Sequence, residues 1–392
     1  EIAVAAGDRD LEATATLRLL DAATARSDPK ALETLVPVAR AAVARDGVAP
    51  RVRLLFHDKE ATALAKLGAY DEARVACERL AAIEPPPQPL ATRCRCVVAI
   101  DAMAVKTVEE PCRAALAAGL EAYGEHHPVN TARMANLAVA LKAIGKHEEA
   151  LALDARALAL TEAAYGAASE DVARMLPSMA DRLMTVGKHE EALAMLERAV
   201  AIRRQLDGDT PTRLQGHAEH KLAEALVRLG KLDDALVRAE RAMQILEATI
   251  PPGHPDLIKA YAQYGNINLG AERWPAVERA MSRCAELALA VHGPRHQLRA
   301  LCVLGLAQAR LAGGQAKDAA ADARTALEVM TELGLHPVNL GAAEGVLGRA
   351  LGESGDRAGA RAHLDNAIAI FEKLGPGGAA SLAEAKRLRK RF

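Results

Sequence analysis

The stretch GKHEEALA occurs twice without a change of letter, at Gly145–Ala152 and at Gly187–Ala194. A zinc-protease helix places two histidines at i and i+4, so that both imidazoles reach one ion from the same face. Here the i+4 residues are Leu151 and Leu193, which removes that reading. What remains is the spacing of 42 residues, the signature of a structural repeat.

Stepping on from Ala150, the same register reaches Ala192, Ala235, Val277, Ala319 and Ala360 at intervals of 42, 43, 42, 42 and 41. Backwards it reaches Ala73 and Ala31, themselves 42 apart. The 77 residues between Ala73 and Ala150 leave room for one shortened unit centred on VEEPCRAAL, Val108–Leu116. The register therefore predicts nine units.

Each unit carries an apolar stripe at helical spacing, such as Leu137, Ala138, Leu141 and Ile144, and then a break at Gly68, Gly145, Gly187, Gly230, Gly314 or Gly355. A second stripe follows, as in Ala150, Leu151, Leu153, Ala157, Leu158 and Leu160. Glycine at the break ends one helix and lets the next begin. Glu148, Glu149, Asp233 and Asp234 then complement a helix N-terminus. The linkers between units recur too: YGEHHPVN, IPPGHPDL and LGLHPVN place Pro128, Pro255 and Pro337 at or near first helical positions, as LDGDTPTR does Pro211. Histidines strung along successive linkers are not expected to share a metal.

Composition agrees with packed helices. The 392 residues are 51% hydrophobic but only 2% aromatic, so the core is built from Ala and Leu, which favour helices. A net charge of −1 gives no global attraction to nucleic acid or anionic lipid. No apolar run is long enough to span a membrane, and no signal peptide is expected. The six cysteines form no CxxC pair, and Cys94 and Cys96, two apart on a helix, point to different sides. They are expected to be small buried hydrophobes in a reducing cytoplasm. Glu1 opens the chain within helical sequence and without Met, so a longer parent protein is expected.

The Gly-x-Tyr-Asp-Glu-Ala of Gly68–Ala73, the Leu-Ala-x-x-Leu-x-x-x-Gly of Leu137–Gly145 and the period together resemble tetratricopeptide repeats of the long, kinesin-light-chain type. The resemblance implies an all-α fold, a right-handed α-solenoid of about nine helix-turn-helix units with a C-terminal capping helix. Expected divisions are irregular units over 1–126, a regular array over 127–374 and the cap over 375–392. Departures are the Pro-rich break Glu84–Pro89, Pro111, Trp274-Pro275 and Gly359. The last segment, Ser381–Phe392, has one apolar stripe (Leu382, Ala385, Leu388) and a basic face (Lys386, Arg387, Arg389, Lys390, Arg391), read as a solubilising cap before a nucleic-acid patch.

No phosphate loop, nucleophile elbow or kinase signature is present, and the pair His217 and His220 in HAEH, with Glu224 beyond, is read as surface before metal. The expectation is no enzyme, no cofactor and no metal. In the family the first helix of each pair lines the concave groove. Carried over, the groove positions here are Asn136 and Val139, then Arg174, Ser178 and Asp181, then His217, His220, Lys221, Glu224 and Arg228, then Lys259, Gln263 and Asn266, with Gln308 and Arg349 beyond. Amides at such positions suit a peptide backbone and cations suit a carboxylate. The family's carboxylate clamp is not matched.

The expected function is thus a non-catalytic module binding a peptide or partner domain. The partner is protein, not nucleic acid or membrane, and the module is a cytoplasmic monomer or part of a larger chain or complex. The alternative is the regulatory or sensor part of a bacterial signalling kinase or protease, which the resemblance suggests as a parent.

Overall fold

The computed structural model describes residues 8–26, 28–83, 88–208 and 210–392. Among them are nineteen α-helices, one short 3-10 turn and no strand. The break at Glu84–Pro87 and the opening at Glu1 lie outside the described residues. The chain divides into two compact units, 1–188 and 189–392. The first holds α1 (Arg9–Arg26), α2 (Pro29–Val43), α3 (Pro50–Lys66), α4 (Tyr70–Ala81), α5 (Gln88–Asp101), α6 (Glu109–Tyr123), α7 (Asn130–Ala143), α8 (His147–Tyr165) and α9 (Glu170–Thr185). The second holds α10 (His189–Asp207), α11 (Arg213–Arg228), α12 (Leu232–Thr249), α13 (Pro255–Gly270), α14 (Trp274–His292), α15 (Gln297–Ala312), α16 (Ala316–Glu332), α17 (Pro337–Glu353), α18 (Arg357–Leu374) and α19 (Ala379–Arg391). Within each unit, helices consecutive in sequence pack on one another, so each unit is a stack of helix pairs.

One backbone device closes every turn from a first to a second helix. The N–H of the residue after the turn donates to a carbonyl five residues back: Ala69 to Leu64, Lys146 to Leu141, Lys188 to Leu183, Lys231 to Leu226, Arg273 to Asn268, Gln315 to Arg310 and Asp356 to Leu351, each at 2.9 Å. Asp28 to Ala23 and Ala104 to Ala99 repeat it at 3.1 Å. These nine bonds match the nine predicted units, the shortened third included. The geometry is that of a helix C-terminal motif whose capping residue sits in the left-handed region. Glycine fills that position in six of the turns, while Met103 (φ 47°) and Glu272 (φ 55°) fill it in two others.

The repeat register is a burial register. Ala73, Ala150, Ala192, Ala235, Val277, Ala319 and Ala360 are all at most 1% exposed, and Cys112 takes the same place at the start of α6. At the N-terminal end the register slips by one: Ala31 is half-buried and Leu32 is the buried residue. Pro111 and Pro275 fall in the first turns of α6 and α14, where a missing N–H breaks no intrahelical bond. Gly359 donates its N–H to the Asp356 carboxylate at 2.9 Å, and a Cβ there would collide with that carboxylate.

The linker histidines have a structural task that the sequence reading missed. Nδ1 of His254, His296 and His336 accepts the backbone N–H two residues on, at 3.1, 3.2 and 3.3 Å, and so caps α13, α15 and α17. Nδ1 of His127 takes the N–H of Val129 in the linker before α7. An imidazole here does what Ser or Asp does at other helix starts.

The C-terminal helix α19 buries Ala385 and Leu388 against α18, and Phe392 covers Gly352 of α17. Its basic residues are mostly paired: Lys386 with Glu372, Arg387 with Glu384, Arg389 with Asp365 and Arg391 with Glu353.

The cysteine expectation is overturned. Cys77 is bonded to Cys94, Cys96 to Cys112 and Cys284 to Cys302, and no free thiol remains. Cys94 and Cys96 do point to different sides of α5, but each side presents a partner on a neighbouring helix. Among the described residues no helix is long and apolar enough to cross a membrane.

Candidate functional site

The first helices of successive pairs carry the predicted groove residues, and their placement follows from the stripe logic. Apolar positions of α7, α9, α11 and α13 face their neighbours, which leaves the intervening polar positions outward.

In the first unit, Asn136 of α7 and Arg174 and Ser178 of α9 line a single cavity of about 290 Å³. Behind them Arg182 and Asp154 form a buried, two-pronged ion pair that locks α9 onto α8. Burial pushes the Asp154 carboxyl up, and Arg182 opposes that shift. Arg174 is exposed and pairs with Asp171 one turn back. Asp181 pairs with Lys142 of α7, a cation that the sequence reading passed over because it belongs to the adjoining pair. Val139 is exposed on α7.

In the second unit, α11 and α13 bring together His217, His220, Lys221, Glu224, Lys259 and Gln263. Gln263 Nε2 donates to the His220 carbonyl at 3.2 Å, bridging the two helices. Burial lowers the basicity of His217, opposed by Asp256 and reinforced by the cations Lys221, Arg213 and Lys259. Burial pushes His220 down to about 4, with Lys221 and His217 adding to the effect. His220 is therefore a neutral imidazole near pH 7. Lys221 pairs with Glu224 at 3.0 Å and Arg213 with Asp256 at 3.2 Å. Lys259 and Arg228 are exposed without a carboxylate partner among the described residues, and Asn266 is exposed further along α13. The third residue of the HAEH segment that escaped attention is Glu219, which points the opposite way, into the core.

Two polar atoms in this cluster are buried and unpartnered: His220 Nδ1 and Gln263 Oε1. Buried polar groups normally carry hydrogen bonds, so these two atoms stand out within the cluster.

Gln308 and Arg349 lie apart from that cluster. They line a larger, mostly apolar cavity of about 620 Å³ with Trp274, Gly345 and α19 residues Ser381 and Glu384. Arg349 Nε is 2.9 Å from Glu353. Among the described residues no group of three or more His, Cys, Asp or Glu has the arrangement to hold a metal ion.

Models of the tetratricopeptide repeat match residues 129–205 and 220–256. Over those residues the stacked helix pairs and their closing turns are those of tetratricopeptide repeats, and the same helix-pair architecture continues through the other described residues. No curated protein matches it in sequence. Among solved structures it is similar to the apo form of RapI, at 11% identity over 93% of this chain and 99% of that one, with a TM-score of 0.60. The apo form of the quorum sensor NprR from B. thuringiensis follows at 13% identity, 93% and 100% coverage and a TM-score of 0.58. A Rap protein complexed with competence and sporulation factor matches at 14% identity, 89% and 99% coverage and a TM-score of 0.53. At these identities the likeness speaks for the fold.

Proposed function

We propose that the chain is a non-catalytic recognition module, and that the α11–α13 face of its second unit binds an extended, acidic segment of a partner protein. The observation that carries this reading is the pair of buried atoms without a hydrogen-bond partner among the described residues, His220 Nδ1 and Gln263 Oε1, beside a cation, Lys259, that no carboxylate among those residues neutralises. A peptide backbone offers both a donor and an acceptor to the first two, and acidic side chains spaced along it meet Lys259 towards one end of the face and Arg228 towards the other. Lys259 and Gln263 are one helical turn apart, so both address the same ligand. Asn136, Arg174 and Ser178 form the corresponding polar surface in the first unit.

The fold is shared with a quorum sensor and with a Rap protein solved in complex with competence and sporulation factor, which suits a regulatory role. The ligand itself is argued from this chain's own groove.

The test uses labelled peptide pools of equal length, one acidic, one neutral and one basic, titrated against the wild type, Arg228→Glu/Lys259→Glu and Gln263→Leu. The acidic pool is expected to bind, and the charge reversal to weaken it at least about tenfold with helicity unchanged. Equal binding of all pools, or full retention by the reversed variant, sinks the assignment of this face.

A further inference from the structure

We infer that this chain works in the oxidised state, its six cysteines joined as three structural bridges by thiol–disulfide exchange in an oxidising, extracytoplasmic compartment, where two of the bridges fasten the third helix pair into the stack.

Placement is the first argument. Each bridge joins helices adjacent in sequence, with separations of 17, 16 and 18 residues. The Cα–Cα distances of 5.6, 4.5 and 5.8 Å lie inside the window of roughly 4.4–6.8 Å that a bridge needs. Every cysteine of the chain is used and none is left over. Cysteines kept only as small hydrophobes are under no pressure to meet in pairs.

Location is the second argument. Cys94 and Cys96 sit on opposite sides of α5, one tied back to α4 and the other forward to α6. This is where the repeat is short: α6 has 15 residues and α4, which the other bridge reaches, has 12, against 17 to 19 in the second helices of later pairs, and the turn before α6 carries Met103 in place of glycine. A bridge on each side restricts the unfolded chain across both loops that flank α5, which offsets the smaller packing surface.

Burial is the third. All six residues are at most 3% exposed, so the sulfurs are shielded from soluble reductants and nucleophiles. That is the setting of structural bridges, whereas redox switches and catalytic thiols need access and an electropositive neighbourhood. Such bridges persist in oxidising compartments and are rare in the cytosol of mesophiles.

The chemistry balances through a small-molecule or protein disulfide of the compartment. One cysteine thiolate attacks the donor disulfide and expels one donor thiolate. The second cysteine thiolate then attacks the mixed disulfide and expels the other. Two protons and two electrons leave the pair and end on two donor thiols.

The test takes the full chain from its own cells, quenched in acid, denatured and alkylated with iodoacetamide before and after reduction. Intact mass is expected to show no adduct before reduction and six after, with cross-linked fragments joining 77 to 94, 96 to 112 and 284 to 302. An adduct on any of the six cysteines before reduction overturns the proposal. As an independent readout, dithiothreitol applied to the urea-unfolded chain and kept present through refolding is expected to lower the thermal midpoint by about 5–10 °C, and to do so less in Cys96→Ala/Cys112→Ala. A midpoint indifferent to reductant overturns the structural role.

Discussion

Glu219 Oε2 lies 3.2 Å from Arg238 Nη1, and the Glu219 side chain has no exposure to solvent. Arg204 of α10 and Arg241 of α12 close on its other oxygen at 3.2 and 3.3 Å, so one carboxylate on α11 ties three helices of the second unit together. Removing the charge strands three guanidinium groups around a buried amide. Because those three cations stay partly solvated, Glu219→Gln is expected to cost about 1.5–3 kcal/mol in denaturant unfolding. Arg238→Ala is expected to cost about 1 kcal/mol, because two cations remain and the arginine is one-third exposed. Equal costs for both substitutions contradict this account.

Stability is expected to fall with acid in a window set by imidazoles rather than carboxylates. His217, His220 and His254 are all held below the ordinary histidine value by burial, His220 down to about 4. A base depressed in the folded state takes its proton more readily when unfolded, so its contribution is complete above about pH 6.5 and is lost as pH falls toward 4. For His220 alone the loss approaches roughly 3 kcal/mol. Urea unfolding between pH 7.5 and 4 checks it, and His220→Asn is expected to flatten the curve.

Glu272 occupies the turn position that glycine takes in six other turns, at φ 55°. A side chain with a Cβ is disfavoured there by about 1 kcal/mol. Glu272→Gly is expected to raise stability by up to that amount, and the reverse change Gly230→Glu to lower it. A destabilising Glu272→Gly, seen in the same melts, removes the argument.

Two glycines of α17 are expected to respond with opposite sign. A Cβ on Gly345 meets nothing within 4 Å, so Gly345→Ala gains helix propensity, about 1 kcal/mol. A Cβ on Gly348 lies 2.8 Å from Leu364 Cγ and 3.1 Å from the Ala360 carbonyl, so Gly348→Ala forces α17 and α18 apart and lowers stability. Thermal melts of both variants decide it.

The histidine caps are expected to behave as caps. His336→Ala leaves the Val338 N–H without its acceptor and costs about 1 kcal/mol, while His336→Asn keeps most of it. If both substitutions cost the same, Nδ1 is not the group that matters.

The repeat was legible because a buried small residue recurs at a fixed step, and periodicity is a property of one strand of text. Ala150, Ala192 and Ala360 needed no partner to be recognised. The slip from Ala31 to Leu32 was invisible because a step of 42 back from Ala73 lands on a small apolar residue, and Leu32, at 41, lies within the spread of the other steps. Cys94 and Cys96 were correctly read as facing apart, but their partners lie on neighbouring helices, and sequence alone does not say which residues of those helices come within bonding distance. The same holds for Glu219 and Lys142, whose roles depend on cations or carboxylates tens of residues away. Linker histidines were seen as a recurring word, and their meaning as acceptors emerged only when Nδ1 was found over a backbone N–H.

The closure from Lys146 to Leu141 and its eight counterparts uses main-chain atoms only. Every turn inside a helix pair is therefore closed with little regard to the side chains that flank it, the glycine position apart. A gene segment cut at these turns and copied or excised by whole repeats would rejoin at a closure already made, so the length of the array and the surface chemistry of each pair can change independently.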